Sequence, residues 1–363
     1  MTSAPTTNPA PATTTAPTTP GHPSARDRVV TGLTPTGPLH LGNYLGAVCP
    51  LLHLLARPGS ESLVFVADLH AMTSEHDPAL LRRRSRELAA TLVACGVDER
   101  ATLFVQSAVP AHTELAYLLE CTAAYGEMTR MIQFREKSAG GAVRLSLLTY
   151  PALMAADVLL YRASAVPVGD DQRQHLELTR TLAQRFNARY GEVFRVPAGV
   201  VPPTAARVRD LRDPRAKMGK SSADSPGVVL LLDEPVRVAA AVRRAVTDLD
   251  PVLTYDPDLR PGVANLAELL AALTGGTPSG VLAGLHGAGA LKAAVSEAVV
   301  ETLRPVRERY RAVAADPAEL DRRLDEGARE AAARAEPTLA AAREAIGLPP
   351  VPPRAPVPLR SPS

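Results

Sequence analysis

The chain contains no tryptophan, so light at the red edge of the indole band finds no absorber in the protein itself. Cysteine is nearly as scarce. Cys49, Cys95 and Cys121 fall in no metal-type spacing and give no even disulfide set, which argues against a disulfide framework and favours a reducing, cytosolic compartment. No apolar run approaches the length of a membrane span, and the first residues lack a charged region followed by an apolar core. Neither a membrane segment nor a secretory leader is expected. There is also no strong excess of one charge. The formal net charge is +2, so contact with nucleic acid must come from local patches, not from an overall basic field. Lysine is the rarer cation: only Lys137, Lys217, Lys220 and Lys292 occur, and 36 of the 40 basic residues are arginine. Where arginine is the default, a lysine marks a place suited to a compact, mobile point charge, as phosphate recognition is. Three of the four lie in two loop-like segments.

What remains is an ordinary globular composition, 46% hydrophobic and 21% charged, in a chain long enough for one large domain or two moderate ones. Residues 1 to about 25 are almost wholly Thr, Pro, Ala and Ser and are expected to be disordered, as is the Pro-rich stretch 348–363. Between these tails, short apolar runs alternate with helical patterns. Val29-Val30 opens a first strand, Ser62–Asp68 a second, Thr102–Gln106 a third and Val166–Val168 a fourth, and Arg207–Leu211 is a final strand-like piece. Asp77-Pro78 caps a helix running to about Cys95 and stopped by Gly96. Strands separated by helices argue for an α/β fold with a parallel sheet, whose ligands bind beyond the strand C-termini. The polar clusters fall there: the turn after Val30, Asp68–His70 and Gly169–Gln172. A mostly helical insertion runs from about 114 to 161, and from Asp233-Glu234-Pro235 the pattern is helical through Ile346.

Three stretches carry chemistry. In Arg28 to Gly46 a strand feeds a turn rich in Gly and Pro, and His40-Leu41-Gly42-Asn43 then opens a helical segment marked by Leu41, Leu45 and Val48. Unpaired N–H groups and the positive end of the helix dipole at such a junction suit phosphate. His40 and Asn43 share one face of the first turn, and Gly42 offers no side chain to keep a flat base away. The same residues could equally form a tight connection capped by Asn43. Lys217-Met218-Gly219-Lys220-Ser221 places two ammonium groups three apart on a loop able to fold over polyphosphate, though a solvated basic turn has the same composition. Finally, Tyr150, Met154 and Asp157 project from one helix face, with Pro151 read as the first helical residue. Asp157 lies among Ala, Val and Leu. A carboxylate there costs several kcal/mol unless a donor meets it. The residues alone leave open whether that donor is a bound ligand or an arginine of the fold.

HLGN together with KMGKS resembles the paired signatures of class I aminoacyl-tRNA synthetases. LLTYPALMAADVLLY (147–161) and VPVGDDQRQHLELTRTLAQRFN (166–187) are similar to the bacterial-type tryptophanyl-tRNA synthetases, and the likeness runs from about Arg28 to Leu348. The resemblance implies a Rossmann-type parallel-sheet catalytic domain over 26–232, a mostly α-helical anticodon-binding domain over 233–347, and a homodimer joined through the insertion at 114–161. It implies ATP-dependent activation of L-tryptophan and transfer to tRNA(Trp) in the cytoplasm, with Mg²⁺ bound to ATP as substrate. The indole N–H would meet Asp157, with Met154 against the ring, Tyr150 and Gln172 near the α-amine and His70 near the carboxylate. Thr34, His40, Gly42 and Asn43 would face ATP, Asp171 its ribose, and Lys137, Lys217 and Lys220 the phosphates. The attacking carboxylate is already ionised, so positioning and charge stabilisation would carry the first step without a general base.

Three departures stand out. Many bacterial members have Gln where this chain has Thr34, Gln at Leu69 and Ser at Gly219. Two other readings share these motifs: a tyrosyl-tRNA synthetase, and a weakened paralogue that binds nucleotide or tRNA as a regulator. Both loop lysines, His40 and Asp157 are retained, which speaks against the second.

Overall fold

Apolar runs of three to six residues line up as one parallel sheet. A computed structural model describes residues 28–57, 59, 61–138, 143–167, 169, 172–200, 208–219 and 225–350. Its strands are β1 (Arg28–Leu33), β2 (Glu61–Val66), β3 (Thr102–Val105), β4 (Ala165–Pro167) and β5 (Ala198–Val200), in the order β3-β2-β1-β4-β5. The chain builds outward from β1 to β3 and then returns to place β4 on the other side of β1. The strand order therefore reverses between β1 and β4, and a crevice opens at the strand C-termini there.

Four of these strands lie where the apolar runs put them. The fifth does not. Only Arg209 of the stretch 207–211 is paired, in a single bridge to Lys217, and Arg207 lies outside the described residues. The edge strand is instead Ala198–Val200, three residues with a glycine at their centre and too short for any periodicity. The two tails, apart from Leu348–Pro350, also lie outside the described residues.

After β1 come α1 (Leu41–Asn43), a π-turn at Tyr44–Val48 and α2 (Cys49–Leu55). The segment buries Leu41, Leu45 and Val48 as their spacing requires. Following β2 are α3 (Asp68–Ala71) and α4 (Pro78–Ala94). Asp77 Oδ1 accepts the Leu80 N–H at 2.6 Å, and Gly96, at φ +78°, ends the helix in a conformation that favours glycine. Between β3 and β4 the insertion holds α5 (Ala111–Glu120), α6 (Tyr125–Thr129), α7 (Ile132–Ser138) and α8 (Leu145–Leu159). Pro151 is interior to α8, not its first residue. The helix starts six residues earlier, at Leu145, and Leu147 already lies on its buried side; proline removes one interior hydrogen bond without ending it. Helix α9 (Arg173–Tyr190) leads to β5, and α10 (Pro235–Arg243), α11 (Pro261–Thr274), α12 (Pro278–Leu282), α13 (Gly287–Ala315) and α14 (Pro317–Ala345) complete the chain.

Strand alternation splits the interior into two cores. Leu63 and Phe65 of β2 pack with α5, α8, α9 and the alanine face of α14, while Val64 and Val66 pack with α2, α4 and α13. Each fully buried Leu or Phe contributes ~1.5–3 kcal/mol by leaving water. The edge strand β3 is covered by α14, whose Gly327 sits so close that an added Cβ would stand 1.9 Å from the Leu103 carbonyl oxygen. That contact hides a strand edge that would otherwise be free to pair.

Candidate active site

A cavity of about 720 Å³ opens at the C-terminal ends of β1 and β4. Its wall brings together Thr34, His70, Lys137, Tyr150, Met154, Asp157 and Gln172, seven residues scattered over 138 positions of sequence and now facing one space. His40, Gly42, Asn43 and Lys217 do not line it. Asp171 and Lys220 lie outside the described residues.

Asp157 is the most constrained of the group. Helix α8 carries it into the interior at 3% exposure, where three side chains donate to it. His70 Nε2 meets Oδ2 at 2.8 Å. Gln106 Nε2 and His112 Nδ1 both meet Oδ1, at 2.7 and 2.6 Å. Among the described residues no arginine is involved. Burial alone would push this carboxyl up, but the hydrogen bonds from His112 and His70 hold it below the ordinary carboxylate range. The chain behind continues from His112 Nε2 to the Tyr161 hydroxyl at 2.8 Å, and burial together with the Asp157 charge keeps that phenol strongly protonated.

A second network fixes Tyr150. Its hydroxyl donates to Gln133 Oε1 at 3.1 Å and forms a short hydrogen bond with His175 Nε2. Burial pushes this phenol up to about 12, so it remains a donor over the whole working range. His70 stands edge-on to the Tyr150 ring, with centroids 6.2 Å apart, which joins the two networks across the cavity.

The glycine-rich junction is built separately. His40 is 3% exposed; its Nδ1 accepts the Asn43 N–H and the Asn43 Oδ1 accepts the His40 N–H, each at 3.2 Å. This reciprocal cap fixes the start of α1. The segment beyond the lysine loop docks on it: Leu41 N–H donates to Val229 O at 2.8 Å, and Leu231 N–H donates to Leu39 O at 3.0 Å. A Cβ on Gly42 would stand 3.0 Å from His40 Nδ1, tighter than an ordinary contact, and 3.6 Å from Met218 Cβ, so the lysine-loop methionine lies near the HLGN turn. Lys217 and Lys137 are both exposed. Among the described residues no group of three or more His, Cys, Asp or Glu converges as a metal site, and no helix is long and apolar enough to cross a membrane.

Gln106, His112, Gln133 and His175 are site residues that the motifs do not mark. The available signals were slight. Gln106 is a polar residue at the C-terminal end of β3, the same level at which the other polar clusters fall. His112 shares a helical stripe with Leu115, Ala116 and Leu119, so it is a polar side chain on a buried face.

The model for class I tRNA synthetases (W and Y) matches residues 23–304. Tryptophan--tRNA ligase 1 of Streptomyces coelicolor is 54% identical over 331 residues, which cover 89% of this chain and 98% of that protein. The crystal structure of tryptophanyl-tRNA synthetase from Mycoplasma pneumoniae is similar with a TM-score of 0.78 and 36% identity, covering 89% of this chain and 98% of that one. The Campylobacter jejuni tryptophanyl-tRNA synthetase, complexed with ADP and tryptophan, matches with a TM-score of 0.78 and 30% identity over 88% of this chain and 100% of that one.

Proposed function

The chain belongs to the class I tRNA synthetases of the tryptophan and tyrosine family, and from that premise we propose that tryptophan and ATP meet in the cavity beyond β1 and β4. Its activity is tryptophan–tRNA ligation. Met154 and the apolar wall hold the indole, Asp157 receives its N–H, Tyr150 and Gln172 hold the α-amine, and His70 lies toward the carboxylate. One carboxylate oxygen attacks the α-phosphorus of ATP; an acyl–phosphate bond forms, the bond to the β-phosphate breaks, and pyrophosphate leaves. The ammonium groups of Lys137, Lys217 and Lys220 meet the charge that develops on it, while Thr34, Gly42, Asn43 and Asp171 hold the nucleotide and His40 fixes the helix start beneath it. Mg²⁺ enters as the ion that ATP carries. A hydroxyl of the terminal adenosine of tRNA(Trp) then takes the acyl group and AMP departs.

The observation that carries this reading is the convergence of Thr34, His70, Lys137, Tyr150, Met154, Asp157 and Gln172 on one cavity at the reversal of strand order. The remaining organisation follows the same reading. The first part, to residue 232, performs activation, and the helices from 233 to 347 reach the anticodon. Exposed Tyr117, Tyr125, Ile132 and Leu145 on the insertion support a homodimer through that surface. Cytoplasmic work is the natural setting, since that is where tRNA is charged. Pyrophosphate exchange with tryptophan and with tyrosine tests the assignment. Exchange with tryptophan alone is expected; exchange with tyrosine, or with neither, contradicts it.

A further inference from the structure

The two oxygens of Asp157 are not equivalent. A carboxylate oxygen offers two lone-pair directions. Oδ1 is filled by Gln106 and His112, both fully buried and both behind the cavity wall. Oδ2 has one partner, His70, which itself lines the cavity. An arriving N–H therefore finds a single open acceptor direction, on Oδ2, beside His70.

The groups behind Oδ1 are themselves fixed. His112 must present Nδ1–H to the carboxylate, so its Nε2 accepts, and the fully buried Tyr161 hydroxyl is placed to donate to it. Tyr161 thus selects the tautomer of His112. Gln106 turns its NH₂ toward Asp157, which leaves its Oε1 buried with no partner. An amide held that way is oriented by what it must give to the carboxylate, not by its own needs.

We infer that Gln106, His112 and Tyr161 are positioning residues for amino-acid selection: they saturate Oδ1 from behind and leave Asp157 one acceptor, aimed at a single ligand N–H. None of the three lines the cavity, so each acts through Asp157. The inference rests on the proposed reading that Asp157 receives the indole N–H.

The test compares L-tryptophan with β-(benzothiophen-3-yl)-L-alanine, which has nearly the same shape and a sulfur where the N–H stands. Pyrophosphate exchange by the full-length protein gives kcat/KM for each, and their ratio reports the N–H interaction alone. Tyr161→Phe removes only the tautomer-setting hydroxyl, and Gln106→Leu removes one donor. Each is expected to lower the ratio roughly threefold to tenfold, about the worth of one hydrogen bond. The loss should fall on KM for tryptophan, with KM for ATP and kcat unchanged. His112→Phe should lower the ratio further, and His112→Asn, whose amide can offer an N–H near the same place, should restore part of it. A general packing defect would instead raise KM for both amino acids equally. Asp157→Ala separates the two levels of the argument. If it abolishes the preference while Tyr161→Phe and Gln106→Leu keep the wild-type ratio, the positioning role is wrong and the Asp157 reading stands. If Asp157→Ala keeps the full preference, the Asp157 reading itself fails.

Discussion

Around Asp157 the polar atoms are buried and already paired, with three donors from three different segments on one carboxylate. At the phosphate side the arrangement is opposite. Lys137 and Lys217 are exposed and form no ion pair among the described residues, and the helix start is fixed by a cap, not by a charge. The difference follows from what each side binds. A neutral indole must be told apart from other rings by one N–H, which needs a desolvated acceptor held in place before the ligand comes. A buried ammonium without a partner would be costly, so cations for a polyphosphate remain in water until it arrives. One side selects by being preformed; the other acts when charge moves.

The largest effect should come from the phosphate side. Lys217→Ala is expected to slow tryptophan activation by ~10²–10³, the usual loss when one stabilising group is removed from a developing charge. Tryptophan affinity should hardly change. A variant that kept its activation rate and lost tryptophan binding would erase the distinction between the two sides. Next in size is Asp157→Ala, which should weaken tryptophan binding by roughly 1–3 kcal/mol because the indole N–H would be buried without its acceptor. ATP affinity measured alone should stay the same. Gly42→Ala comes third. Its Cβ would press on the His40 ring at 3.0 Å, and loosening that cap should cost ~1 kcal/mol, visible as a raised KM for ATP and not for tryptophan.

The smallest effect concerns the departures from related chains. Thr34 lines the cavity, whereas Leu69 does not. The shorter Thr34 side chain withholds a polar contact from an indole-based inhibitor, so Thr34→Gln should increase inhibition several-fold, near the lower end of one hydrogen bond. Leu69→Gln should do nothing. Equal inhibition of wild type and Thr34→Gln would remove any selective meaning from the substitution.

The strands β1 to β4 were legible because buried parallel strands are near-continuous apolar runs, as in Leu63–Val66. Strand β5 was not, since Ala198–Val200 owes its pairing to β4 and carries no pattern of its own. The cavity wall was legible wherever a residue sat in a compact motif or on one helix face, as Tyr150, Met154 and Asp157 do. Gln106 and His112 reach Asp157 across 51 and 45 residues, and only the path from β3 through α5 to α8 brings them together. Spacing could show that Asp157 needed a donor. It could not say that the fold supplies three.

The most direct measurement uses the missing tryptophan. With no indole in the chain, excitation at the red edge sees only the ligand, and a ring packed beside Met154 should emit at shorter wavelength than in water. Titrating tryptophan without ATP into wild type, Lys217→Ala and Asp157→Ala reads the amino-acid side by itself. A preformed site predicts a blue-shifted signal that saturates at a fixed number of sites per chain, unchanged in Lys217→Ala and weakened in Asp157→Ala. Binding that appears only when ATP is present, or that survives in full in Asp157→Ala, would contradict it.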